Sequence, residues 1–286
     1  MALNPKFAHD PALSRGEFRI RHTRKLAALA LPLALGACAP AHVPDFAEKP
    51  FEPFNREDTV AIAMREWRLF GEPVDDAPPD ARSNPPPEQK PERWPGLWER
   101  VGEYWWIGQD PGIPEVGWTG KHDQNGRVFP YLEDGEYAWS AAFISYVMRI
   151  AGAGSRFPYS PNHSTYVNAA AAHRSPILRA WSPEAYAPKR GDLICRGRLW
   201  ARKLRLSDLP TADFWPGHCA MVVAVDRETL GTLGGNVNDA VTMVHVPVTS
   251  SGTLATPDGA VLDQRYHWFV VIEVLYDAEA EPEADK

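Results

Sequence analysis

The sequence predicts an α+β domain in which N-terminal helices pack on a central antiparallel β-sheet. Three observations lead there. Apolar residues recur at helical spacing in the first half of the chain; beyond about residue 190 they come as short runs bounded by turn residues; and the two patterns follow one another, helices first and strands after. With 286 residues, 44% of them hydrophobic, and 11 Trp, the chain can build one good-sized core, while 28 Pro imply extended segments beside it.

Residues 1–37 read as a secretory signal. Six Lys/Arg against Asp10 and Glu17 precede an apolar run from Leu26 to Ala37, shorter than the ~20 residues a membrane span needs. The run ends in Leu35-Gly36-Ala37-Cys38. This resembles the lipobox of bacterial lipoproteins, which implies that Cys38 is diacylated and becomes the mature N-terminus, two acyl chains being enough for a stable anchor. Ala39 stands where an aspartate would resemble an inner-membrane retention signal, so the expected address is the outer membrane, facing the periplasm. An ordinary signal peptide with a chance cysteine is the alternative. Loss of residues 1–37 removes six cations and two acids and takes the formal charge from −7 to −11; nothing in that balance suggests a nucleic-acid partner.

Residues 38–54 form a Pro-rich tether. The stretch 55–71 predicts a helix, with Asn55 as cap, Val60, Ala63, Met64, Trp67 and Phe70 on one side, and Gly71 as stop. Residues 72–93 are Pro-rich and polar and read as a linker, so the main domain is expected over 94–277, followed by an acidic disordered tail, 278–286. Trp94, Trp98, Trp105, Trp106 and Trp118 crowd its start and suit a core or lid better than sugar stacking. A helix is predicted from Ala138 to Ala151, with Phe143, Tyr146, Val147 and Ile150 as its apolar stripe and Ser140 in its first turn, and a short helical patch from Tyr166 to His173. The turn Pro188-Lys189-Arg190-Gly191-Asp192 leads into a strand at Leu193–Cys195. Further strands are expected at 218–225, 229–236, 240–246 and 268–276.

A polar residue opening a buried helix and a histidine opening a strand are the placement a nucleophile and its base require. Ser140 and His218 stand in those positions, and Asn236 on the next strand is the candidate to orient the imidazole. The segment Trp139-Ser140-Ala141-Ala142-Phe143-Ile144, the Pro188–Ile194 strand entry, Gly217-His218-Cys219-Ala220-Met221-Val222 and Gly234-Gly235-Asn236 with Asp239-Ala240-Val241 resemble, in order, four motifs of NlpC-type and CHAP-type papain-like amidases. Taken together they most closely resemble the bacterial domain of unknown function 2272. The resemblance spans roughly residues 95–276.

It implies a papain-like fold and hydrolysis of amide bonds in peptidoglycan stem peptides, with Ser140 attacking, His218 as base and Asn236 as orienter. The sequence departs from the amidases in carrying Ser140 where they carry cysteine. A serine hydroxyl depends wholly on a general base to remove its proton. The alternative is that Ser140 is an N-cap or relic in a catalytically silent module that binds peptidoglycan or a partner protein. Trp139, His163 and Tyr166 are candidates to line the substrate cleft. Cys219 follows His218 on a strand and so points to the other face. With export, Cys195 and Cys219 are free to pair as a disulfide, and are two buried thiols otherwise. No cysteine pair has zinc spacing, and neither metal nor cofactor is implied. Arg196, Arg198, Arg202, Lys203 and Arg205 read as a solvated face, or as a surface for peptide carboxylates or an anionic membrane. The expected partners are peptidoglycan and, through the lipid on Cys38, the membrane; the expected state is a monomer.

Overall fold

The computed structural model describes residues 53–82, 85–113 and 138–277. Cys38, the signal and most of the tether before Phe54, Trp118 and the acidic tail lie outside them. Among the described residues there are four α-helices, α1 (Arg56–Leu69), α2 (Leu97–Gly108), α3 (Ser140–Ile150) and α4 (His163–Ala171). Six strands follow: β1 (Leu178–Trp181), β2 (Leu193–Gly197), β3 (Gly217–Val225), β4 (Thr229–Val237), β5 (Ala240–Pro247) and β6 (Trp268–Val274). They form one antiparallel sheet in the order β1-β6-β2-β3-β4-β5, and the class is α+β. β3, β4 and β5 are a meander, whereas β6 returns to the middle of the sheet between β1 and β2. No described helix is long and apolar enough to cross a membrane.

The two faces of the sheet are read off β3. Cys219, Met221 and Val223 belong to the large core shared with the helices, and Ala220 and Val222 to a smaller one on the opposite face with Val244, Val246, Tyr266 and Trp268. Helix α3 lies at the centre of the large core. Every residue from Ser140 to Met148 is buried, as expected of a helix apolar on nearly all sides. Ile150, expected in its apolar stripe, is 42% exposed, because the helix has run past the core by then. A Cβ on Gly108 would stand 2.8 Å from both Ala142 O and Tyr146 N, so glycine is what lets α2 approach α3 this closely.

Helix α1 begins as expected, with Asn55 Oδ1 accepting from Asp58 N–H at 2.8 Å. Its buried Glu66 ties α1 to α2: Arg100 Nε (2.6 Å), Arg65 Nη2 (2.8 Å) and the Tyr104 hydroxyl (2.8 Å) all donate to it, and Tyr146 of α3 joins through Arg65 and Arg100. The structure corrects the expected domain limits. Phe54 is fully buried against Tyr276, and Val74 bridges to Met243 on β5. Lys90 reaches Asp239 at 3.1 Å, and Glu92 is fully buried. Residues read as linker therefore belong to the packed body; prolines set their extended shape, but charged side chains hold them down. Strand β1 was not foreseen, being four residues long and paired only to β6.

Candidate active site

Ser140 is the first residue of α3. The residue before it, Trp139, occupies the N-cap position without a side-chain cap bond, so the N–H groups of the first turn are left without an intrahelical partner. Ser140 is thus a helical residue and not the cap. Its Oγ lies 2.7 Å from Nε2 of His163, the first residue of α4, and both side chains are 5% exposed. Nδ1 of His163 is hydrogen-bonded to the Tyr166 hydroxyl one turn on. If Ser140 donates to Nε2, the imidazole carries its proton on Nδ1 and gives it to the phenol oxygen.

This corrects the pairing expected from the sequence. His218 opens β3, but it makes no side-chain hydrogen bond to Ser140 among the described residues; it meets the His163 ring edge-on at 5.6 Å between centroids. Asn236, expected to orient His218, makes no hydrogen bond to it either. It sits with φ +56° within a bulge of β4, between Gly234 and Val237, which turns it away from the ladder. The two preceding glycines are what the site needs from this motif. A Cβ on Gly234 would stand 2.7 Å from His218 Nε2, and one on Gly235 would stand 2.6 Å from Phe143 Cβ and 2.9 Å from the Trp139 ring. Their bareness lets β4 press on the imidazole from one side and on the serine-bearing helix from the other.

Trp139 and Tyr166 are fully buried and do not line an open cleft. The Trp139 indole N–H donates to Glu92 Oε2 at 2.6 Å, and its ring packs on Phe70 and Tyr104; it positions the start of α3. Asp192 of the strand-entry turn is likewise a pin. Its carboxylate accepts from Lys189 N–H (2.8 Å), the Tyr186 hydroxyl (2.9 Å) and Val274 N–H (3.1 Å). Burial outweighs these bonds and raises its pKa. Cys195 and Cys219, register partners on β2 and β3, are joined by a disulfide on the helix side of the sheet.

Electrostatically the site is a buried, cationic environment. Burial, and then Arg198 and Arg196, push the pKa of His163 down to about 3. Burial, and then Arg196, His163, Arg198 and Arg82, hold His218 well below the usual histidine range. Both rings are neutral near pH 7. The sequence offers Arg196 as one cation in a run that is either a solvated face or a surface for anions. Its register opposite His218 on β2 and β3 places it on the same face, which period-2 alternation from a correct pairing could have revealed.

The fold and this site define an α+β protein with a serine–histidine pair at the start of a central buried helix. The family of uncharacterized proteins conserved in bacteria called DUF2272 matches residues 92–274, and the chain belongs to it. Its match opens at Glu92, the residue that holds Trp139, and closes at the end of β6. No curated protein and no solved structure matches the chain.

Proposed function

We propose that this protein is an envelope lipoprotein, anchored through Cys38 in the outer membrane, whose domain hydrolyses amide bonds in peptidoglycan stem peptides on a papain-like framework. The observation that carries the hydrolase reading is the 2.7 Å contact of Ser140 Oγ with His163 Nε2 at the start of α3. A nucleophile in hydrogen-bond reach of a neutral imidazole, beside helix N–H groups that have no intrahelical partner, is the arrangement acyl transfer uses. Ser140 attacks the carbonyl, His163 takes its proton at Nε2 and returns it to the leaving amine; water then attacks the acyl-Ser140, giving a proton to His163, which passes it back to the Ser140 oxygen as the acid is released, and the first-turn N–H groups of α3 face the oxyanion in both steps. His218 and Asn236 were the base and orienter expected from the motifs; the base passes to His163, and His218 becomes its neighbour. The substrate class rests on the motif resemblance to papain-like amidases.

A second reading, a catalytically silent module binding peptidoglycan or a partner, is favoured by one specific observation. A base works best with its pKa near the working pH, whereas His163 is held at about 3 and has a phenol behind it where hydrolases of this kind place a carboxylate or amide. Muropeptide release from purified peptidoglycan separates the two. The hydrolase predicts release by the wild type and a loss of at least ~100-fold in Ser140→Ala and His163→Ala, in the range of removing a nucleophile or its base. No release by the wild type, with peptidoglycan still sedimenting the protein and activity gained in Ser140→Cys, would establish the silent module.

A further inference from the structure

Trp268 on β6, Arg196 on β2 and His218 on β3 are register partners, so their side chains form a row on the sheet face turned away from the helices. They line a recess with Arg82, Gly234 and Tyr266. Three polar atoms of these residues, Arg82 Nη2, Arg196 Nε and the Tyr266 hydroxyl, are buried with no hydrogen-bond partner among the described residues. The guanidinium of Arg196 lies 4.0 Å from the centroid of the Tyr266 ring, and that of Arg82 lies 5.7 Å from it.

The acids nearby are already engaged. Asp75 pairs with Arg82 Nε at 2.7 Å. Asp263 accepts from Arg265 Nε (2.9 Å) and the Trp268 indole (3.0 Å), and Asp76 pairs with His245 and Arg265. Among the described residues no carboxylate lies within 4.0 Å of Arg196. A desolvated cation without a counter-ion costs stability. Donors left open around it are what an incoming anion needs, and a guanidinium with a phenol hydroxyl matches the flat, two-oxygen edge of a carboxylate.

We propose that Arg196, with Arg82 and the Tyr266 hydroxyl, forms a carboxylate-binding recess beside His218 that takes the free carboxylate of a peptide. That the carboxylate belongs to a peptide rests on the hydrolase reading above; the anion site itself does not. An anion seated there also offsets the positive charge that faces both histidines.

The test is calorimetric binding to the full-length chain carrying Ser140→Ala, so that turnover plays no part. The probes are N-acetyl-Ala-Ala, the same dipeptide as its C-terminal amide, and inorganic phosphate. The acid should bind at least tenfold more tightly than the amide or phosphate. Adding Arg196→Met should bring the acid down to the amide without lowering Tm, since it removes an unpaired buried charge, and Arg196→Lys should restore part of the preference. Tyr266→Phe, which keeps the ring, should weaken the acid several-fold. Equal binding of acid and amide, no binding of either, or an acid preference that survives both Arg196→Met and Tyr266→Phe overturns the recess; phosphate binding as tightly as the acid overturns its commitment to a carboxylate. Acid binding here, with no muropeptide release by the wild type, would sink the hydrolase and leave the recess standing.

Discussion

The molecule treats buried charge in two opposite ways. Around Glu66, where α1, α2 and α3 meet, one carboxylate is matched by Arg65, Arg100 and the Tyr104 hydroxyl. Burial raises the pKa of Glu66, but the bonds from Arg100 and Arg65 overcome it and leave the group below the usual carboxylate range. At the open end of β2 and β3, by contrast, Arg196 has donors to spare and no acid, and two histidines are held neutral beside it. A closed network fixes the helical layer to itself; an incomplete one, retained at a cost, marks where something else is to be bound.

The largest effect expected from this contrast is on Glu66. Glu66→Ala should destabilise the chain by about 3–5 kcal/mol in urea unfolding, because it removes the shared acceptor of Arg100, Arg65 and the buried Tyr104 hydroxyl and leaves Arg100 only Glu103 and Tyr146; a loss under about 1 kcal/mol would erase the distinction between the two regions. Next comes the glycine pair. Gly235→Ala drives a Cβ into Phe143 and should cost about 1–3 kcal/mol by overpacking. Gly234→Ala should cost less, since His218 can yield, but should displace the imidazole and shift its ring resonances.

Acid titration separates the regions by pH. The unfolded chain protonates its histidines below about 6.5, while His163 stays neutral in the folded chain down to about 3. Stability is therefore complete above pH 6.5 and is lost as pH falls, by about 1.4 kcal/mol per pH unit for each such histidine. Glu66 contributes only later: its stabilisation is present above about 4.5, the ordinary value for the unfolded chain, and fades as pH drops below it. Between pH 6.5 and 5 the slope should come from His163 and His218, and His163→Gln should remove roughly half of it. A slope unchanged in that variant would mean that the imidazole is charged in the fold.

The smallest effect is expected at Asn236. With no bond to His218 and φ +56°, Asn236→Gly should change stability by no more than about 0.5 kcal/mol and leave any hydrolysis unaltered. A loss of turnover there would restore the orienting role that the motif implied.

The course of the chain was legible where periodicity is local. Helix α1 with its Asn55 cap, α3 with Ser140 in its first turn, and five of the strands lie close to the expected segments. Strand β1 leaves no mark in the sequence because four residues carry no measurable alternation, and the packing of residues 72–93 is hidden because proline signals extended backbone without saying whether it is packed. At the site, Ser140 and His218 stood out by motif. The partner of Ser140 did not, because a hydrogen bond between residues 140 and 163 depends on how α4 is laid against α3.

By itself the sequence determined the class of fold, the order of helices before strands, the serine at a buried helix start and the family motifs, all of which are written in spacing along the chain. Only the tertiary structure decided that His163 and not His218 meets Ser140, that Gly234 and Gly235 clear room for them, and that Arg196 is turned under Tyr266 beside His218. Strand register and helix placement are set by long-range packing, and a shift of one residue in register would move every side chain of the row to the other face.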